Sequence, residues 1–212
     1  GSVIGFAMEA YERGLLARKD TDGIELTWGN AEALQAMIEL IAFRKGLGKI
    51  LGQGVRSAAE RIGGAAKEFA IHIKGLEPPA HDPRAKVTVA LGLATANRGA
   101  CHLGAFTHDF EEGQLIADLG LPQLTDRFTL EGKAENVVRM QHLMCMFDSL
   151  TACKFGLFGG LTIKPLVSFI NYVTGWSMDV DGFFKTGERI FNLKRVYSVS
   201  YTHLTLPTKR IV

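Results

Sequence analysis

Three features of the sequence predict a mainly α protein built as two helical lobes. Apolar residues recur at helical spacing in one segment after another: Ile4, Met8, Tyr11 and Leu15, then Leu34, Met37, Ile38 and Ile41, then Val137, Met140, Met144 and Phe147. Glycines punctuate these segments at Gly14, Gly46, Gly48, Gly63, Gly64 and Gly175, where a chain leaving a helix needs backbone freedom. Pro78, Pro79 and Pro83 make the clearest break, because proline cannot continue a helix and restricts the residue before it. The break divides the chain into lobes of residues 1–83 and 84–198.

Taken in order, the first helix is expected over residues 3–17, followed by a charged loop at residues 18–22. Gly23 then sits where a tight turn needs positive φ. Asn30 is a natural N-cap for a helix over residues 31–45. A third helix over residues 49–62 carries Ile50, Leu51, Val55, Ala58 and Ala59. Residues 69–73 alternate apolar and polar, which suits a short strand or extended segment with His72 as a half-exposed packing histidine. The segment 85–96 is apolar all round and is expected to be a buried helix.

Residues 107–130 read as a polar connector with a short helix near residues 114–119. His108, Asp109, Glu111 and Glu112 crowd there without ligand spacing on a firm element, so a solvated loop is expected. A long helix over residues 131–150 follows, with Met140 and Met144 as adaptable packing and Cys145 as a small buried hydrophobe. Residues 164–173 form another helix with Pro165 in its first turn, and Asp179 or Asp181 caps a last one over residues 182–195.

The balance of the chain narrows its function. In 212 residues, 24 basic and 22 acidic side chains leave a net charge of +2, which gives no electrostatic case for nucleic acid or an anionic membrane. No apolar run is long enough to span a bilayer. Three cysteines, unpaired by spacing and without a signal peptide, fit a reducing cytoplasm. At 47% hydrophobic and 22% charged the chain is a globular protein of ordinary composition.

Chemistry concentrates where the long helix stops. Asp148, Ser149, Leu150, Thr151, Ala152, Cys153 and Lys154 bring a carboxylate, a thiol and a lysine together ahead of a Gly-rich run. A carboxylate and a soft thiolate suit a metal cofactor, although a free cysteine in a helix-to-loop corner reads the same way. Arg98 suits a phosphate or carboxylate, and His102 suits proton transfer or a capping role.

Asp148 to Cys153 resembles the D-x-x-G-L-C element of the tungsten-pterin aldehyde ferredoxin oxidoreductase family, with Thr151 and Ala152 in place of Gly and Leu. Asp20-Thr21-Asp22-Gly23-Ile24-Glu25 is similar to that family's first pterin-holding element, D-x-x-G-L followed by an acid. The stretches 5–16, 26–30, 72–77, 81–84, 94–102 and 187–193 also resemble the family, in the same order. The resemblance implies a fragment corresponding to the C-terminal helical domains, without the N-terminal sheet domain and without the C-x-x-C-x-x-x-C run that supplies three cluster ligands. Residues 199–212 fall outside the likeness and are expected to be a non-native tail that packs poorly.

What the family does gives the functional expectation. Its members oxidise aldehydes to carboxylic acids and pass electrons to ferredoxin. They use tungsten (sometimes molybdenum) on a molybdopterin-type bis-pterin beside a [4Fe-4S] cluster. The resemblance implies pterin contacts from Asp20, Gly23, Ile24 and Glu25 in the first element. In the second it implies contacts from Asp148, Thr151, Ala152 and Lys154, with Cys153 ligating iron and His102 on the substrate side. The two turns must then come within one cofactor's span. The fragment alone is expected to be inactive, and a homodimer is compatible with the full-length protein. Two other readings stay open: a non-catalytic or differently reducing relative on the same scaffold, and a helical interaction domain without cofactor.

Overall fold

The structure is a computed structural model that describes residues 1–108, 111, 116–120 and 126–205. Among these residues it holds eight α-helices joined by turns and short 3-10 segments, with no strand. The chain divides into two compact units, Gly1–Ala80 and His81–Val212. Among the described residues no helix is long and apolar enough to cross a membrane.

The first unit has an apolar core, with Thr21 buried beside it. Helix α1 (Ser2–Glu12) buries Ile4, Phe6, Ala7, Met8 and Ala10 against Leu51, Val55 and Ala58. It ends earlier than residue 17, because Gly14 at φ +72° turns the chain and Leu15 N–H bonds back to Ala10 O at 2.8 Å. Helix α2 (Ala31–Ala42) starts at Asn30, whose side chain accepts from Ala33 N–H as its sequence predicts. The expected apolar face needs correction. Ala33 and Met37 are buried, whereas Leu34 and Ile38 are 40% and 54% exposed. Gly48 lets the following segment approach this helix closely, since a side chain there would meet the Leu40 carbonyl.

The third expected helix is two. Helix α3 (Gly48–Leu51) stops, and Gly54 at φ +90° restarts the chain as α4 (Val55–Ile62). The Glu77 carboxylate, distant in sequence, accepts from Val55 N–H at 2.5 Å and caps the new helix. Near residues 69–73 no strand forms. A single antiparallel bridge joins Ile73 and Leu76 around Lys74 and Gly75, both at positive φ. His72 is half-buried and its Nδ1 accepts from Gly75 N–H, so it braces this turn.

In the second unit α5 (Val87–Thr95) packs beside α6 (Lys133–Ser149), and Gln141 donates to Thr95 Oγ1 at 2.8 Å between them. Thr88, Val89, Gly92 and Leu93 are buried on α5, in keeping with its apolar sequence. Met140, Leu143, Met144 and Phe147 of α6 form the core with α7 (Ile163–Thr174) and the start of α8 (Val180–Thr205). Asp179 accepts from Gly182 N–H at 2.7 Å and caps α8. That helix runs through residue 195, where it was expected to end, to Thr205. Residues 206–212 lie outside the described residues.

The connector also needs correction. Its expected short helix is a 3-10 turn, Ala117–Leu119. Asp109 and Glu112 lie outside the described residues, but His108 and Glu111 are buried, not solvated. Glu111 meets Lys133 at 2.5 Å with neither side chain exposed. It also accepts from Thr88 N–H at 3.0 Å, so it ties the start of α5 to the start of α6. Two opposite charges in contact satisfy one another where either alone would be costly, which is how a polar sequence becomes core.

Candidate functional site

The C-terminal end of α6 builds the site. Phe147 O accepts from Ala152 N–H at 3.0 Å and Asp148 O accepts from Thr151 N–H at 3.3 Å, a Schellman ending with Thr151 at φ +56°. The position is one that glycine fills without strain, and a β-branched threonine holds it instead. The turn leaves Asp148 and Cys153 exposed, on either side of the half-buried Ala152.

These residues border a cavity of about 810 Å³. Its walls come from the exit of α5 at Ala96, Asn97 and Arg98, the end of α6, and Phe191 and Lys194 of α8. The C-terminal ends of α5 and α6 thus arrive at one place. Lys154 Nζ lies 2.7 Å from Asp148 Oδ1 and donates to Leu103 O at 3.0 Å. Lys194 Nζ lies 3.6 Å from Asp148 Oδ2. Asp148 is about half exposed, so both pairs are screened and stabilise little, but they hold the carboxylate at the cavity edge.

All three cysteines border the cavity. Cys145 is the buried thiol its helical position predicts. Burial pushes its pKa up, partly offset by Lys194 nearby. Arg98 donates to Cys101 Sγ at 2.8 Å.

His102 begins the 3-10 turn His102–Gly104. Its neighbours Cys101 and Leu103 line the cavity, while its own ring meets His81 and His108, at centroid distances of 5.0 and 5.2 Å. Burial, then the charges of His81, Arg98 and Lys154, pushes the His102 pKa down, so the ring is neutral at pH 7. His108 is pushed to about 4, again first by burial.

The first-unit residues are held differently. Asp20 Oδ2 accepts from Ala17 N–H and Asp22 Oδ2 from Leu47 N–H, each at 3.0 Å. Thr21 is fully buried and donates to Ile24 O at 2.5 Å. Gly23 stands at φ +82°, as its place in the turn predicts, and Glu25 is exposed.

Of the expected residues in the second unit, Asp148, Ala152, Cys153 and Lys154 border one cavity, while Thr151 shapes the turn behind it. Sequence reasoning missed Lys194, His81 and the role of His108. No local signal marks a lysine within a long amphipathic helix as a carboxylate partner. The histidines are 21 and 6 residues from His102 and converge only through tertiary folding.

A carboxylate, an exposed thiol and neighbouring cations thus stand around one cavity. Residues 1–209 match the family model for domains 2 and 3 of aldehyde ferredoxin oxidoreductase. The chain belongs to the aldehyde ferredoxin oxidoreductase family. It is 35% identical over 201 residues to a tungsten-containing aldehyde ferredoxin oxidoreductase of Thermococcus kodakarensis, covering 94% of this chain and 32% of that protein. A Pyrococcus horikoshii protein of the same description is 34% identical over 203 residues. The WOR-like subunit of an aliphatic sulfonate oxidoreductase from Pyrococcus furiosus is 27% identical over 203 residues, covering 92% of this chain and 28% of that protein. The chain therefore spans about a third of the length of the curated relatives it matches.

Proposed function

We propose that this chain is the helical, cofactor-holding part of an oxidoreductase that converts aldehydes to carboxylic acids and delivers the electrons to ferredoxin. One observation carries the reading: Asp148 and Cys153 stand two residues either side of the turn at the edge of an 810 Å³ cavity, in a chain of this family. The donor set fits a tungsten (or molybdenum) bis-pterin with a [4Fe-4S] cluster beside it. Such a cofactor supplies the redox step when bound.

The chain's own residues do the rest. An ionised carboxylate is an acceptor with no donor, so Asp148 and Asp20 each accept from the N–H groups of a pterin. Gly23, Ile24 and Glu25 shape the first turn, and Thr151 and Ala152 the second. Cys153 gives a thiolate to iron. Arg98 and Lys194 offset negative charge. Aldehyde oxidation takes an oxygen from water and releases two protons with two electrons. His102, neutral at pH 7, is suited to accept a proton.

The 212-residue chain alone is expected to be inactive, because other parts of the full-length protein complete the site. The test is tungsten and iron analysis of the full-length protein with aldehyde-dependent dye reduction. Cys153→Ser in that protein should remove the cluster's spectroscopic signal. A metal-free full-length protein overturns the reading and leaves a helical interaction domain. The sulfonate-oxidoreductase relative favours a second reading, a differently reducing enzyme on the same scaffold. Turnover of alkyl sulfonate but not aldehyde would select it.

A further inference from the structure

We propose that His81, His102 and His108 form a site for one divalent transition-metal ion of the zinc class, with a fourth coordination position left for an exogenous ligand. Each offers an imidazole nitrogen, and the three nitrogens lie within 4.8 Å of one another. The His81 and His108 ring centroids are 4.1 Å apart. Among the described residues this is the one group of three or more His, Cys, Asp or Glu side chains so gathered.

A second observation points to a ligand. His108 is 8% exposed, and its Nε2 is buried with no hydrogen-bond partner among the described residues. A buried ring nitrogen normally bonds something, and leaving it unpaired costs about 1–3 kcal/mol. A metal ion bound at that nitrogen would satisfy it. The backbone around His108 is anchored, since Lys86 Nζ donates to its carbonyl and Thr88 Oγ1 to that of Thr107. The edge of the Phe106 ring lies against His108, with centroids 5.7 Å apart.

Three nitrogens, each 2.0–2.1 Å from a tetrahedral zinc, lie about 3.3 Å apart. The nitrogens must therefore close by up to about 1.5 Å on binding. His81 is exposed and free to supply that movement, and it marks the entry path. Three histidines with an open fourth position form the donor set of zinc sites that bind water or substrate, and imidazole also suits copper, iron and nickel. Lys86, Arg98 and Lys154 place positive charge near the rings. The fourth ligand is therefore an anion, hydroxide or a carboxylate.

The site needs neither pterin nor cluster, but it shares His102 with the chemistry proposed above, and occupancy removes that ring from proton transfer. The test is titration of the 212-residue chain, without a histidine tag, with Co²⁺ as probe. Visible d–d absorption and calorimetry follow binding, and Zn²⁺ displaces the probe. We expect one ion per chain. His81→Ala, an exposed substitution that leaves the core intact, should weaken binding at least ~10-fold, the lower end of what loss of outer-shell support costs. His108→Ala should weaken it further, and His72→Ala and His142→Ala should not alter it. Absence of saturable Co²⁺ and Zn²⁺ binding overturns the proposal. So does binding that survives His81→Ala and is lost in Cys153→Ser, which would place the ion on the thiol.

Discussion

The turns at residues 20–25 and 148–153 share a spacing but are braced by different means. In the first, Asp22 and Gly23 both hold positive φ, at +57° and +82°, and carboxylates cap backbone N–H groups of their own unit. In the second, Thr151 holds φ +56°, and Asp148 faces Lys154 and Lys194. The surroundings differ likewise. The first turn belongs to a unit with an apolar core, and the second to a unit that buries Glu111, Lys133 and His108. The difference teaches that a strained turn persists where the surrounding unit over-determines it. The Schellman bonds and the core contacts of Ala152 together hold Thr151 in place.

The contrast between the cores breaks first if the buried pair is cut. Lys133→Met strands a buried carboxylate and should lower unfolding free energy by about 3–5 kcal/mol in urea titration. A loss under 1 kcal/mol would mean that Glu111 finds water or another partner.

The two turns should then respond oppositely to exchange of their key residue. Thr151→Gly relieves the left-handed strain and should stabilise by about 1 kcal/mol. Gly23→Ala meets no neighbouring atom, so only backbone strain acts, and it should destabilise by about 1–2 kcal/mol. If both substitutions destabilise, Thr151 contributes contacts that outweigh its strain.

A smaller effect sharpens the picture of the first turn as self-braced. Thr21→Val removes a buried hydroxyl that bonds Ile24 O, and should cost about 1 kcal/mol in thermal or urea unfolding. No loss would show that Arg18 and Gly23 close the turn without it.

The smallest expected change is at the end of α8. We propose that residues 199–212 add little to the fold, since Val199 is exposed. Their removal should shift stability by less than ~0.5 kcal/mol. A fall of several degrees in Tm would show that this segment packs.

Much of this was legible locally. The Asn30 cap, Gly23 in its turn, Asp179 ahead of α8, the buried α5 and the Met-rich stripe of α6 follow from spacing and residue type, because a helix cap or apolar stripe is satisfied within a few residues. The Asp148–Cys153 element was equally readable, since the helix end and its turn are one continuous segment. The motifs that assign the family are of this kind.

Other features required the tertiary structure. The break between α3 and α4 depends on a carboxylate from Glu77, and no window along the helix contains it. The phase of α2 was set by which side could approach the core. Glu111 and Lys133 look like solvated charges in sequence and become core because each finds the other across 22 residues. Lys194 meets Asp148 only because α8 packs along α6. The three histidines gather for the same reason. Local sequence determines backbone geometry through short-range sterics and hydrogen bonds, whereas the partner of a charge or an imidazole is chosen by packing between distant segments.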